Sequence, residues 1–143
     1  MELNYVVDGI ELLGVTVRKL NIDNTIVDVE KDGKRNFGLC INEPEFQKTE
    51  NGFLGQMQID FEVEINQSES QTCKLQLVLE GAFLSERNME EKQFKELVIV
   101  NGAAALIGVA RGKIEAISAN VFNNGKIVIP FVNVIDYYKE YSE

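Results

Sequence analysis

From Met57 to Phe83 the chain alternates apolar and polar residues with a period of two, and this limits the fold more than any other feature. Met57, Ile59, Phe61, Val63 and Ile65 share one face; Gln56, Gln58, Asp60, Glu62 and Glu64 share the other. After the polar tract at 66–71 the pattern resumes with Cys73, Leu75, Leu77, Leu79 and, past Gly81, Phe83. Lys74, Gln76 and Glu80 face the opposite way, with Val78 the exception. Strand side chains point alternately to opposite faces, so each segment has one covered face and one wet face, as in an antiparallel sheet.

Two earlier segments extend this sheet. In the first, Ile10 and Leu12 share one phase, Leu13, Val15 and Val17 take the other, and Leu20 and Ile22 shift again. That reads as one long strand with bulges near Leu12–Leu13 and Arg18–Lys19. In the second, Phe37, Leu39 and Ile41 lie on one face, after the turn at Asp32-Gly33 and before Glu43-Pro44. Short turns between successive strands, including Asn51-Gly52, fit a meander.

Past Ser85 the period changes. Asn88 followed by Glu91 resembles a helix N-cap with its acidic partner, and Phe94, Leu97 and Val98 have helical spacing. Val100-Asn101-Gly102 reads as an interruption, and a second helical run starts near Ala103. Leu106, Ala110, Ile114, Ile117 and Val121 form its apolar stripe. Ala105, Gly108, Gly112, Ala116 and Ala119 form a neighbouring stripe of small residues, suited to close packing on the domain's own sheet or on another subunit. Asn123-Asn124-Gly125 closes the run, the segment 126–130 reads as extended, and 131–141 as a short amphipathic helix. The expectation is one α+β domain over residues 1–143: a four-stranded antiparallel sheet, then a long helix and a short C-terminal helix on one face.

The chain contains no histidine, which removes Ser-His-Asp and Cys-His catalysis and histidine metal ligation. The alternating Asp60, Glu62 and Glu64 read as a solvated sheet face, and no second acidic cluster at ligand spacing accompanies them. No cofactor, no metal and no enzymatic activity are expected. A net charge of −9 repels phosphate backbones, so nucleic acid is not an expected partner. Cys40 and Cys73 read as reduced, buried small hydrophobes. The N-terminal segment has no basic region of the signal-peptide kind, and the apolar stretch at 97–110 is too short to span a bilayer, so a cytoplasmic chain without membrane insertion is expected. The aromatic C-terminus, with Phe131, Tyr137, Tyr138 and Tyr141, suits either core packing or an apolar groove for extended peptides.

The second half resembles the SecB protein-export chaperones and their SecB-like relatives. The strand Cys-Lys-Leu-Gln-Leu-Val-Leu-Glu-Gly-Ala-Phe, 73–83, ends in the family's Gly-x-Phe. The long helix, a Gly-containing loop, and Pro130, Phe131, Val132 and Asn133 entering the last helix follow in the family's order. The resemblance implies a chaperone for unfolded polypeptide clients, assembled as a homo-oligomer, a dimer of dimers. It implies a client groove lined by Phe37, Leu39 and Ile41 with Phe131, Ile135 and Tyr138. It implies a subunit contact through Ala105, Gly108, Gly112 and Ala116. Acidic positions that dock the motor ATPase SecA in SecB fall near Lys19, Asp23 and Gln76, where only Asp23 keeps the charge. The aromatic-proline helix start usual in SecB is absent. SecB-like relatives also serve toxin–antitoxin systems, which makes an antitoxin a second kind of client. The alternative is a scaffold or regulatory subunit with a single partner.

Overall fold

The computed structural model describes residues 9–86 and 88–141. Its strands are β1 (Ile10–Asn24), β2 (Lys34–Ile41), β3 (Glu45–Thr49), β4 (Gly52–Ser68) and β5 (Gln71–Ser85). They are followed by α1 (Glu91–Leu97), a π-helical turn (Val98–Gly102), α2 (Ala103–Ala119) and α3 (Val134–Tyr141). The α+β architecture is the one the alternation requires.

β4 and β5 form the centre as a long hairpin, and their inner residues Met57, Ile59, Phe61, Val63, Ile65, Cys73, Leu75, Leu77 and Leu79 are all at most 2% exposed. β2 and β3 run end to end along the outer edge of β4, pairing with Ile59–Asn66 and Gly52–Gln56 respectively. The sheet therefore has a fifth strand, β3, where the sequence pattern indicated four. Phe46 is the one apolar residue of β3, so no alternation marked the segment. It packs edge-on against Phe94, with ring centroids 5.9 Å apart.

β1 departs from a meander. It crosses to pair with β5, giving the order β1-β5-β4-β2, a Greek-key arrangement. The register shifts fall between Leu12 and Gly14 and between Val17 and Lys19, as the phase breaks indicate. Each bulge restores the phase: Leu12, Val15, Val17, Leu20 and Ile22 lie opposite Phe83, Gly81, Leu79, Leu77 and Leu75, all on the inner face.

α1, the π turn and α2 form one helical run of 29 residues, Glu91–Ala119, so Asn101-Gly102 widens the helix without ending it. The run is long and apolar enough to cross a membrane by length and composition, more than the 97–110 stretch indicated. Here it lies on the sheet, burying Phe94, Val98, Ala103, Leu106, Ile107, Ala110, Ile114 and Ser118. Two glycines let it come close. Leu106 occupies the space a side chain at Gly81 would need, and a Cβ at Gly102 would sit 3.0 Å from the Phe83 ring. The helix starts two residues later than the proposed cap: Asn88 has φ of 66°, and Glu90 precedes the first helical residue with no side-chain cap bond.

Residues 126–133 return along α2. Ser118 Oγ accepts the Ile127 N–H at 2.7 Å and donates to the Glu115 carbonyl, while Arg111 Nε donates to the Ile129 carbonyl at 3.0 Å. Ile127 and Ile129 are thereby pinned into the core.

Candidate functional site

The inner face is fully covered only over β4 and β5. At the β2 side, Phe37 is 39% exposed, while Leu39 and Ile41 pack partly buried against the core. α3 lies against this margin. Asn133 starts it, its Oδ1 accepting the Asp136 N–H and its carbonyl the Tyr137 N–H. Val134 is the buried residue of α3, and Tyr138 packs partly buried on the core. Tyr137 Oη accepts the Ile41 N–H at 2.9 Å, tying the helix to the strand. Burial, and secondarily Tyr137, push the Tyr138 hydroxyl above the ordinary tyrosine pKa, and that hydroxyl is buried without a partner.

Leu39, Ile41 and Tyr138 each pack partly buried on the core, and the Tyr137–Ile41 bond brings α3 to the β2 edge. Ile135 lies on the exposed side of α3, and Phe131 stands apart at 89% exposed, with the Arg111 guanidinium 4.1 Å from its ring centroid. Tyr137 and Arg111 complete this region. The aromatic C-terminus draws attention to Tyr137, but no spacing reveals a side-chain bond to a backbone amide 96 residues away.

A second apolar margin lies at β1, where Leu12, Val17 and Leu20 are 39–41% exposed although they face inward. Ala105, Gly108, Gly112 and Ala116 are exposed, and nothing lies within 4 Å of a Cβ placed at Gly108 or Gly112. Close packing of these glycines on the domain's own sheet is excluded.

The outer face is polar. A half-open groove of about 390 Å³ there is walled by Asn21, Asp23, Asn36, Glu62, Glu64, Lys74 and Gln76. Asp23 lies directly across from Lys74, and Gln76 Nε2 donates to both Asp60 carboxylate oxygens. Glu80 is held below the usual carboxylate range, first by the Arg18 hydrogen bond and then by Gln58. Among the described residues no group of three metal-ligating side chains occurs. Cys40 belongs to this outer face and is exposed, not buried, because its neighbours Leu39 and Ile41 point inward; Cys73 is buried, and both thiols are free. Burial is the main cause that raises the Cys73 thiol pKa, with Asp23 adding to it.

No protein-family model matches this sequence, and none of the curated proteins is similar to it. Among solved structures, the chain is similar to the Mycobacterium tuberculosis SecB-like chaperone Rv1957, solved in complex with a ChAD peptide from the Rv1956 HigA1 antitoxin. The TM-score is 0.58 at 9% identity, over 87% of this chain and 91% of that one. The likeness is one of fold. This chain has the SecB-like arrangement of sheet, long helix and short C-terminal helix.

Proposed function

We propose that this protein is a chaperone that holds extended, non-native segments of other polypeptides along the β2–α3 margin. The observation that carries the reading is the pairing of exposed apolar side chains with an edge strand. Phe37 and Ile135, with Phe131 in the segment that enters α3, offer apolar area with little sequence demand, and β2 has no strand on its outer side among the described residues. The SecB-like neighbour's complex with a peptide supports the same class of ligand. The net charge of −9 favours clients with basic residues beside their apolar ones.

Self-association belongs to the same proposal. The helical run carries no charged residue between Glu96 and Arg111, and its exposed side is made of Ala105, Gly108, Gly112 and Ala116. Small residues let a second copy's helix approach closely, and the half-exposed inner-facing residues of β1, Leu12, Val17 and Leu20, offer further apolar area for such a contact.

A single dedicated client, such as an antitoxin segment, is the second reading. Lys19, Asp23 and Gln76 favour it, because only Asp23 keeps the charge at the positions that align with SecB's motor-docking acids. The test is binding to a reduced, carboxymethylated polypeptide that stays unfolded. A soluble complex that the double variant Phe131→Asp/Ile135→Asp fails to form supports the general chaperone. Indifference to several such polypeptides moves the assignment to the dedicated partner.

A further inference from the structure

We propose that the Tyr137 hydroxyl is a latch that closes α3 over the β2 edge and competes with a client for the backbone of Ile41. The inference rests on the functional reading above and concerns how that site is regulated.

The backbone geometry defines what the latch covers. Ile41 lies opposite Ile59 of β4, yet its N–H leaves the sheet for Tyr137 Oη, while the Asn42 N–H turns back to the Gln58 carbonyl. Alternate residues of an antiparallel strand present their backbone groups to the same side. The N–H groups of Leu39 and Phe37 therefore share the outward direction of Ile41. These residues also carry the inward apolar side chains of the strand. An extended client that adds a strand here uses the Ile41 N–H for its own carbonyl, and Tyr137 already holds it.

Two further observations make α3 easy to release. It has eight residues, too few for a helix to persist without packing, and Val134 is its buried residue. The closed position also buries the Tyr138 hydroxyl with no hydrogen-bond partner, which penalises closure because that group regains water when the helix lifts. The Tyr137 hydroxyl favours the closed state and the Tyr138 hydroxyl opposes it, so two adjacent tyrosine hydroxyls bias one equilibrium.

The test uses the full chain, with amide exchange at Ile41 and affinity for a reduced, carboxymethylated polypeptide read together. Tyr137→Phe is expected to speed Ile41 exchange and to tighten client binding about three- to tenfold, as loss of one hydrogen bond enlarges the open fraction. Tyr138→Phe removes the unpartnered hydroxyl, and is expected to slow Ile41 exchange and weaken client binding by a similar factor. A merely structural Tyr137 would lower the melting temperature and leave affinity unchanged or weaker, which overturns the latch. A wild-type chain that binds no client sinks the functional reading and this inference together. A binding wild type whose Tyr137→Phe variant binds no tighter sinks the latch alone.

Discussion

The centre of the sheet and its two margins use the same code and reach different ends. β4 and β5 place apolar residues on every second position and bury them to 2% exposure or less. β1 and β2 do the same, yet Leu12, Val17, Leu20 and Phe37 stay 39–41% exposed. The side chains are equally apolar, so the difference comes from position under the helix. α2 is one helix wide and reaches β4 and β5. What a single helix cannot cover is left at the edges, and it is this uncovered apolar surface that the proposed client and subunit contacts would use.

The largest effect expected from this comparison is in the centre. Phe61→Ala removes a side chain that is 1% exposed, and a loss of about 3–5 kcal/mol in urea unfolding is expected. Phe37→Ala at the margin is expected to change stability by no more than about 1 kcal/mol, while weakening client binding. Equal destabilisation by the two would break the contrast.

The glycines give the next effect. Gly81→Ala forces Leu106 off the sheet, with an expected loss of about 1–3 kcal/mol. Gly108→Ala meets open space in an exposed helix, and a gain of about 0.5–1 kcal/mol is expected under dilute, dissociating conditions. Gly108→Leu should leave the chain folded and lower its mass in light scattering, which sharpens the assignment of that face to a second copy.

The smallest effect is electrostatic. Glu80, bonded by Arg18 and Gln58, and Glu115, bonded by Lys126, both ionise more readily folded than unfolded. Their stabilisation is thus present above the ordinary glutamate pKa and fades as pH falls through their lower folded values. Both pairs are exposed, so salt should screen the effect. Melting temperature followed from pH 6 to pH 3 at low and high salt checks the sign. A chain that gains stability over that acid range would contradict it.

Face assignment was legible in the sequence because period two reports which side a residue takes. The two phase breaks in β1 even located the bulges, since an extra residue is the only way to keep Val15 and Leu20 inward. Period two says nothing about which strand lies alongside, so the crossing of β1 to β5 was invisible, and a strand with one apolar residue, β3, was missed. Asn88 read as a cap because its type suits a cap and a left-handed turn equally, and the structure uses it for the turn. The candidate client residues came from family likeness. The physical links among them, Ile41 to Tyr137 and Arg111 to Phe131, join segments far apart in sequence and have no local signature.

The central claim is that the two apolar margins do different work, and one pair of double variants tests it directly. Phe131→Asp/Ile135→Asp and Leu12→Asp/Leu20→Asp are compared for solution mass and for affinity to a reduced, carboxymethylated polypeptide. The account predicts that the first pair keeps the wild-type mass and loses client affinity at least tenfold, while the second loses mass. Client affinity unaffected by Phe131→Asp/Ile135→Asp, in a wild type that binds, would contradict it.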